Sequence, residues 1–402
     1  MKAGARVKDP MVRSWNKRFP KFSRNTDAPA DKRRALETMP ANSELFDTVN
    51  RRRYHDRIQS DTSEAPMPVP AVSVIIPVFN TAPWLRRCLD SVCGQSLRNI
   101  EIICVNDGSS DESGSILAEY AARDPRLLNI TLGRNQGPGV ARNIGLTAAH
   151  GEWLGFVDSD DSVARDFYEK LYGASHESDA EIIKGTAWVE AYFPNCINQG
   201  VNIKIEENKY NFKDAWWTAI YNRKFIIEHN IRQPQFTNNE DLVFLYQAIT
   251  VASKVSVVND ALYYYFHRKG SSSTSLRTKK RIDDIIAARI ALRDILNANH
   301  SLDANTYISE YNTMILYLYN FFYTKVPIED KEYAPKALAN VILDFYKKCH
   351  EPERLLLEVK KWDRYFASLI ADYDREGLQK FLSLSRLQRL RCNARVRLAK
   401  QA

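Results

Sequence analysis

Short β-branched runs alternate with amphipathic stretches along the first half of the chain. After the first run, Leu85, Leu89 and Val92 lie at helical spacing on one face of a predicted helix that Pro83 opens. Strands alternating with helices predict an α/β fold with a mixed, mostly parallel sheet flanked by helices. The predicted strands are Val72–Ile76, Glu101–Val105, Leu127–Leu132 and Trp153–Val157.

The periodicity is weaker beyond this region. A short strand is predicted at Glu181–Gly185 and another at Val255–Val258, but the aromatic-rich stretch up to Gln235 has no clear period. The run Thr237-Asn238-Asn239-Glu240 predicts a capping box that begins a helix. Residues 280–402 have mainly helical spacing. The chain is therefore expected to have three parts: a flexible basic arm at 1–70, an α/β domain at 71–275 and a helical region at 276–402.

Positive charge is concentrated at the two ends of the chain. The net charge is +8, of which residues 1–70 carry +6 and residues 381–402 another +6, so the body between them is mildly acidic. A basic core that binds nucleic acid is therefore not expected. Two basic ends fit an anionic membrane surface better.

Hydropathy and cysteine usage narrow the class of protein further. No apolar run approaches the roughly 20 residues of a membrane-spanning helix, and Met1–Pro20 is charged where a signal peptide is apolar. The six cysteines form no CxxC pair and are expected to be reduced thiols. These features favour a cytoplasmic protein, peripheral at the inner face of the cell membrane if its basic ends bind lipid.

The last predicted helix has two open interpretations. Leucines and an alanine recur on one helical face, while Arg386, Arg389 and Arg397 lie off it. Either the apolar face docks on the body of the protein, or the helix lies on an anionic bilayer. The apolar positions are Leu384, Leu387, Leu390, Ala394 and Leu398.

An acidic cluster follows the strand that ends at Val157. In Asp158-Ser159-Asp160-Asp161 the carboxylates of Asp158 and Asp160 can point to the same side of an extended chain. Carboxylates so close repel each other unless a cation lies among them, and hard oxygen ligands suit Mg²⁺ or Mn²⁺. The alternative is that Asp161 or Ser162 simply caps the next helix.

Two further loops are weak signals when taken alone. Asn106–Asp111 reads as a turn and helix cap, and Gly133–Gly139 lacks the GxGxxG spacing of a dinucleotide-binding loop. Trp216 and Trp217 are candidates to stack on a ligand, although such pairs more often belong to a core. A Rossmann dehydrogenase is disfavoured.

The order of the motifs is more informative than any one of them. The chain closely resembles the family-two inverting glycosyltransferases with the GT-A fold over about 72–175, and more loosely over 236–275. The motifs that carry the resemblance are Val74-Ile75-Ile76-Pro77-Val78-Phe79-Asn80, Val105-Asn106-Asp107-Gly108-Ser109, Gly137-Pro138-Gly139-Val140-Ala141-Arg142-Asn143 and Phe156-Val157-Asp158-Ser159-Asp160-Asp161.

The resemblance implies a site for a nucleotide-sugar donor, with UDP as the expected nucleotide. Phe79 matches an aromatic that packs on the base, Asp107 an acid that accepts a hydrogen bond from uracil, and Arg142 a basic residue near the nucleotide. Asn106 stands where the family often has Asp. Other residues implied in donor binding are Pro77, Asn80, Asp158 and Asp160.

The resemblance also implies a metal and a catalytic base. Asp160 matches the end of the DxD motif that holds Mn²⁺ or Mg²⁺, and Asp161 is expected to share that role. His267, with Arg268, stands near the place of a family residue that contacts the diphosphate or metal. In Glu240-Asp241 the base is assigned to Asp241, because Glu240 has a duty in the predicted capping box.

The expected function is therefore metal-dependent, inverting transfer of a hexosyl or N-acetylhexosaminyl group to a hydroxyl of a glycan or glycolipid. Two alternatives stay open. A nucleotidyltransferase is expected to carry a Gly-rich triphosphate loop after its first strand, where this chain has Pro77–Asn80. An inactive scaffold of a polysaccharide-assembly complex is expected to have lost the acidic residues that this chain retains.

Overall fold

The computed structural model describes residues 68–191, 201–203, 216–236, 238–267, 277–300, 302–321 and 328–399. Residues 1–67 of the predicted basic arm at 1–70 lie outside these residues, as does Arg268. A helix that the sequence predicts within the arm, at about 31–58, lies outside them as well.

Within the described residues, nine strands form one mixed sheet. They are β1 Val72–Val78, β2 Ile100–Asn106, β3 Leu127–Thr131, β4 Trp153–Phe156, β5 Ser162–Val163, β6 Ile182–Ala191, β7 Val201–Ile203, β8 Ala219–Asn222 and β9 Val255–His267. The strand order is β3-β2-β1-β4-β8-β6-β9-β5, and β7 pairs with β6.

The helices divide between the sheet and the C-terminal region. Six accompany the sheet: α1 Ala82–Cys93, α2 Ser113–Arg123, α3 Pro138–Ala148, α4 Phe167–His176, α5 Arg223–Glu228 and α6 Glu240–Val251. Seven more follow among the described residues: α7 Lys279–Ala298, α8 Ala304–Tyr319, α9 Tyr333–Lys348, α10 Pro352–Trp362, α11 Arg364–Ala371, α12 Arg375–Ser383 and α13 Arg386–Ala399. The α/β class and the helical C-terminal region are confirmed.

The N-terminal half of the sheet is parallel, as the sequence predicts. In β1, Val72 pairs with Ile100 of β2 on one side and with Trp153 of β4 on the other. All three residues are buried, because helices cover both faces of a parallel sheet. Since β1, β2 and β4 run in the same direction, the loops after Val78, Asn106 and Phe156 meet at one edge.

The second half of the sheet has features that periodicity does not reveal. Strand β8 pairs antiparallel with β4 and β6, whereas β9 runs parallel to β6 and continues to His267. The predicted strand at Val255–Val258 is thus too short. The tyrosine-rich segment continues the strand and pairs with β5, directly after the acidic turn. This pairing brings residues 261–267 to the edge where the loops meet.

The C-terminal helices are joined to the sheet domain through α6. Helix α6 packs on α7, and the hydroxyl of Tyr246 donates a hydrogen bond to the carboxylate of Glu310 on α8 at 2.5 Å, with both residues buried. Because α6 begins with Glu240 and Asp241, the helical region supports the element that carries the candidate base.

Two expectations about chemistry and membranes can be compared with the described residues. The cysteines among them, at 88, 93, 104, 349 and 392, are free thiols. No helix in the described part of the chain has both the length and the apolar character needed to cross a bilayer.

Glycine is required at position 108, where the β2 loop meets the glycine-rich loop. Its φ angle is +69°, and a Cβ there would lie 2.7 Å from the backbone of Arg134. Side chains other than hydrogen are disfavoured at such angles, and a backbone neighbour cannot easily yield. The two loops can therefore approach this closely because residue 108 has no side chain.

We predict that Gly108→Ala lowers the free energy of unfolding by roughly 1–3 kcal/mol, through backbone strain and the clash with Arg134. Gly133→Ala is the matched control, because a Cβ at position 133 meets nothing within 4 Å. Urea unfolding of both variants measures the difference. Equal stability of the two variants would show that the loops separate at no cost.

Candidate active site

The loop after β1 presents an aromatic ring at the edge of the sheet. Phe79 is 43% exposed, which is unusual for a phenylalanine beside a buried strand. Asn80 adopts a left-handed backbone conformation with φ of 51°. Its Oδ1 accepts the N–H of Ser110 at 2.9 Å, so the loops after β1 and β2 are held together. Pro77, within β1, is half-buried.

Asp107 fastens the glycine-rich loop. Its two carboxylate oxygens accept the backbone N–H groups of Gln136 and Gly137, each at 2.8 Å, and the residue is 2% exposed. Burial raises the pKa of Asp107, and the two N–H bonds oppose that rise. The structure thus gives Asp107 a scaffolding contact, while its expected contact with uracil stays a prediction.

The carboxylates of the acidic turn after β4 are buried to different extents. The N–H of Asp161 donates to the carbonyl of Asp158 at 2.9 Å, which closes the turn. Asp158 and Asp160 are half-buried, and the carbonyl of Asp160 accepts a hydrogen bond from the guanidinium of Arg87. Asp160 therefore has a carboxylate that solvent can reach at the edge of the sheet.

Asp161 is directed into the protein instead. It is 1% exposed, and its two oxygens accept the hydroxyl of Tyr263 at 2.9 Å and the N–H of Phe266 at 2.8 Å. Burial raises the pKa of Asp161, and the charges of Asp158 and Asp160 add to the rise. These contacts hold β9 against the acidic turn and disfavour a metal-ligand role for Asp161.

The expected metal site is partly outside the described structure. His267 ends β9, but its side chain is not among those described. Among the described residues, no group of three or more His, Cys, Asp or Glu side chains is arranged to hold a metal ion. Asp160 as a ligand and His267 as its companion both stay predictions.

A buried arginine links the acidic turn to helix α6. Arg142 on α3 is 6% exposed. Its Nη2 lies 2.7 Å from Oδ1 of Asp158, and its Nη1 lies 2.9 Å from Oε1 of Glu240. Nη1 also donates to Gln233, and the guanidinium lies 5.0 Å from the ring centroid of Trp216. The sequence indicated Arg142 by its motif but gave no signal for Gln233.

The charges in this network depend on one another. Burial lowers the pKa of Arg142, but Asp158 and Glu240 outweigh that effect and raise it above its usual value. Burial and the charge of Asp241 raise the pKa of Glu240 to about 7, while Arg142 opposes the rise. Burial also raises the pKa of Asp241, again against Arg142. One permanently charged guanidinium thus faces three carboxylates.

The predicted capping box is wrong. Helix α6 begins at Glu240, with Asn239 as its N-cap residue at φ of 62° and without a side-chain capping bond. Glu240 is therefore the first helical residue and not the third, and its carboxylate pairs with Arg142. Asp241 is half-buried, and its Oδ1 accepts the N–H of Leu242 at 2.8 Å.

The tryptophan pair belongs to the core. Trp216 is 3% exposed and contacts the ring of Phe156 with centroids 4.8 Å apart. Trp217 is 9% exposed and stacks on Tyr265. An acceptor sugar cannot stack on rings that are already covered, so the packing interpretation is confirmed.

The fold is similar to that of a solved glycosyltransferase. The structure of S. aureus TarS residues 1–349 in complex with UDP-GlcNAc superimposes with a TM-score of 0.61 at 21% identity, covering 78% of this chain and 90% of that one. This likeness confirms the GT-A fold expected from the sequence.

Sequence comparison then shows the family. Residues 73–230 match the model of glycosyl transferase family 2. Glycosyltransferase GlyG of Streptococcus pneumoniae is 30% identical over 50% of this chain and 72% of its own length. Putative glycosyltransferase EpsH of Bacillus subtilis is 35% identical over 54% of this chain, and the match spans 66% of EpsH, just under two thirds. The chain belongs to glycosyltransferase family 2.

We predict that Arg142→Met lowers the free energy of unfolding by about 3–5 kcal/mol, because it leaves the buried carboxylate of Glu240 and the half-buried carboxylate of Asp158 without their cation. Loss of the guanidinium raises the pKa of Glu240 further, so the folded state favours the protonated carboxyl. The penalty is therefore small at acidic pH and grows as pH rises through the raised pKa. Urea unfolding at about pH 5.5 and about pH 8 measures this trend.

The double variant Arg142→Met/Glu240→Gln is the matched control, since it removes one of the stranded charges. It should recover part of the lost stability at the higher pH. A double variant as unstable as Arg142→Met at both pH values would contradict an ion pair between Arg142 and Glu240.

Proposed function

We propose that the protein is a metal-dependent inverting glycosyltransferase that moves a sugar from a UDP-linked donor to a hydroxyl of a glycan or glycolipid. The observation that carries the proposal is the Arg142 network. It joins Asp158, which ends the nucleotide-binding half of the sheet, to the helix that begins with Glu240 and Asp241. The buried guanidinium of Arg142 thus pairs with one residue of the expected donor site and one residue of the expected acceptor site.

The donor side of this edge suits a nucleotide. Phe79 offers an exposed ring on which a base can stack, and Asn80 fixes the loop that carries it. Asp107 holds the glycine-rich loop beside it. The similar fold of TarS was solved with UDP-GlcNAc. These features support a UDP-sugar of the hexose or N-acetylhexosamine class as donor, with Pro77, Phe79, Asn80, Asp107, Arg142, Asp158 and Asp160 as its binding residues.

The donor set at the acidic turn fits a divalent cation. Asp158 and Asp160 present carboxylate oxygens at a half-buried position, and Mg²⁺ and Mn²⁺ favour such ligands. Asp160 would hold the ion, with His267 as a further ligand. A bound cation would neutralise negative charge on the departing nucleoside diphosphate. Asp161 is reassigned to a structural role, since both its oxygens already accept hydrogen bonds from β9.

Asp241 is the proposed base that takes the proton of the acceptor hydroxyl. Burial raises its pKa above that of an ordinary aspartate, which makes the carboxylate a stronger proton acceptor. Glu240 is occupied by its ion pair with Arg142 and positions the first turn of α6. A hydroxyl activated in this way would attack the sugar opposite the leaving group, and one such displacement inverts the anomeric configuration.

The two alternatives are weaker. A nucleotidyltransferase would need a triphosphate loop after β1, where this chain has a proline and an exposed phenylalanine. An inactive scaffold has no need for clustered acids, yet Asp107, Asp158, Asp160, Glu240 and Asp241 are all retained. We also propose that the enzyme acts in the cytoplasm, at the inner face of the membrane, and takes no nucleic acid as partner.

We predict that Asp241→Asn lowers transfer by roughly 10²- to 10⁴-fold with UDP affinity nearly unchanged, because an amide does not readily accept a proton. UDP release from UDP-N-acetylglucosamine measures the rate, and calorimetry measures the affinity. Glu240→Gln is the matched control, since its amide oxygen can still accept a hydrogen bond from Arg142. It should cost less than about tenfold. Loss of activity in Glu240→Gln alone would assign the catalytic base to Glu240. Full activity in both variants would contradict the proposed mechanism.

We predict that Asp160→Asn removes the gain in UDP affinity that Mn²⁺ provides, because the ion links this carboxylate to the diphosphate. Asp161→Asn should keep that gain but lower the unfolding temperature, since an amide cannot accept both hydrogen bonds from β9. Calorimetric titration of UDP with Mn²⁺ and with EDTA separates the two effects. The reverse pattern would return the metal role to Asp161, and no effect of EDTA on wild-type UDP affinity would exclude a metal bridge.

A further inference from the structure

Helix α13 docks on the protein through a face that includes polar side chains. Arg389 is 1% exposed, and its guanidinium donates to the carbonyl oxygens of Tyr319, at 2.8 Å, and Leu382. Asn393, one turn later, is 6% exposed and accepts the N–H of Arg364 at 3.1 Å. The docked face therefore includes polar residues, while the neighbouring Leu384 and Cys392 pack on the hydrophobic core. Of the two open interpretations of this helix, docking through all of its leucines does not agree with the exposure of Leu390.

Three described side chains on another part of α13 are exposed. Leu390 is 57% exposed, and Arg391 and Ala394 are exposed as well. With 3.6 residues per turn, positions 387, 390, 394 and 398 fall within about 80° of one another, and their face is centred about 125° from the face that carries positions 389 and 393. The sequence has leucine or alanine at all four of these positions. Leu390 and Ala394 therefore form the described part of an apolar stripe, and the sequence pattern places positions 387 and 398 on the same face.

Positive charge accompanies this stripe. Residues 381–402 contain six Lys or Arg and no acidic residue, while the chain between 71 and 380 is net negative. Arginines stand at positions 386, 391, 395 and 397, on either side of the apolar positions. A ligand for this face must therefore combine an apolar layer with a high density of negative charge.

We propose that the outer face of α13 binds an anionic membrane surface, with the helix lying in the plane of the interface. Acyl chains would receive the leucines, and anionic headgroups would pair with the flanking arginines. A second copy of the chain fits less well, because it would bring a second arginine-rich helix against the first. The inference does not depend on sugar transfer, so either proposal can fail without the other.

Vesicle binding of the full chain tests the proposal. Cosedimentation with phosphatidylcholine vesicles is compared with cosedimentation with vesicles that also contain phosphatidylglycerol. Wild type should bind the anionic vesicles and should release as salt is added. Leu390→Gln should weaken binding several-fold, and Arg391→Gln roughly fivefold, which is the effect of one charge near the surface.

Matched controls carry the same changes elsewhere on the surface. Ile227→Gln alters an apolar residue that is 43% exposed on α5, and Arg123→Gln removes an arginine whose side chain is 70% exposed on α2. Both controls should bind anionic vesicles like wild type. Unfolding temperatures of Leu390→Gln and Arg391→Gln should match wild type, because neither side chain packs in the core.

Four results would overturn the proposal. The first is equal binding of wild type to neutral and anionic vesicles. The second is wild-type binding by both Leu390→Gln and Arg391→Gln. The third is a dimer in solution that Leu390→Gln dissociates, since a second copy would then cover the face. A large fall in the unfolding temperature of Leu390→Gln would equally contradict an outward leucine.

Discussion

The buried guanidinium of Arg142 is the interaction on which the site depends. It lies between Asp158, at the end of the parallel half of the sheet, and Glu240, at the start of α6. A charge this deep is tolerated because both carboxylates and Gln233 compensate for its lost hydration. The same contacts fix the distance between the expected donor-binding edge and the candidate base, so one ion-pair network sets the geometry of the proposed reaction.

The acidic turn shows how burial separates residues that look alike in sequence. Asp158, Asp160 and Asp161 are adjacent, but Asp158 pairs with Arg142, Asp160 stays reachable from solvent, and Asp161 holds β9. Their mutual repulsion is therefore relieved in different ways. A cation bound at Asp160 would neutralise the charge of that carboxylate, and its half-buried position leaves it within reach of such an ion.

The C-terminal helices also contain buried polar contacts. Helix α8 supports α6 through the buried contact of Glu310 with Tyr246, and α13 is anchored by Arg389 on the carbonyl of Tyr319. Buried polar contacts thus add to the hydrophobic core that packs these helices together. Leu390 of α13 lies on the outside, where the proposed membrane contact would bury it.

The sequence by itself determined the alternation of strands and helices, the parallel sheet edge and the acidic residues that gather there, because periodicity and motif order are local properties. Tertiary structure alone decided the strand pairing of β8 and β9, the partner of Glu240 and the outward face of α13. Each of these depends on residues distant in sequence: Glu240 meets Arg142 across 98 positions, and Tyr263 meets Asp161 across 102. A local pattern such as a capping box carries no information about an ion pair at that separation, and it therefore gave the wrong partner for Glu240.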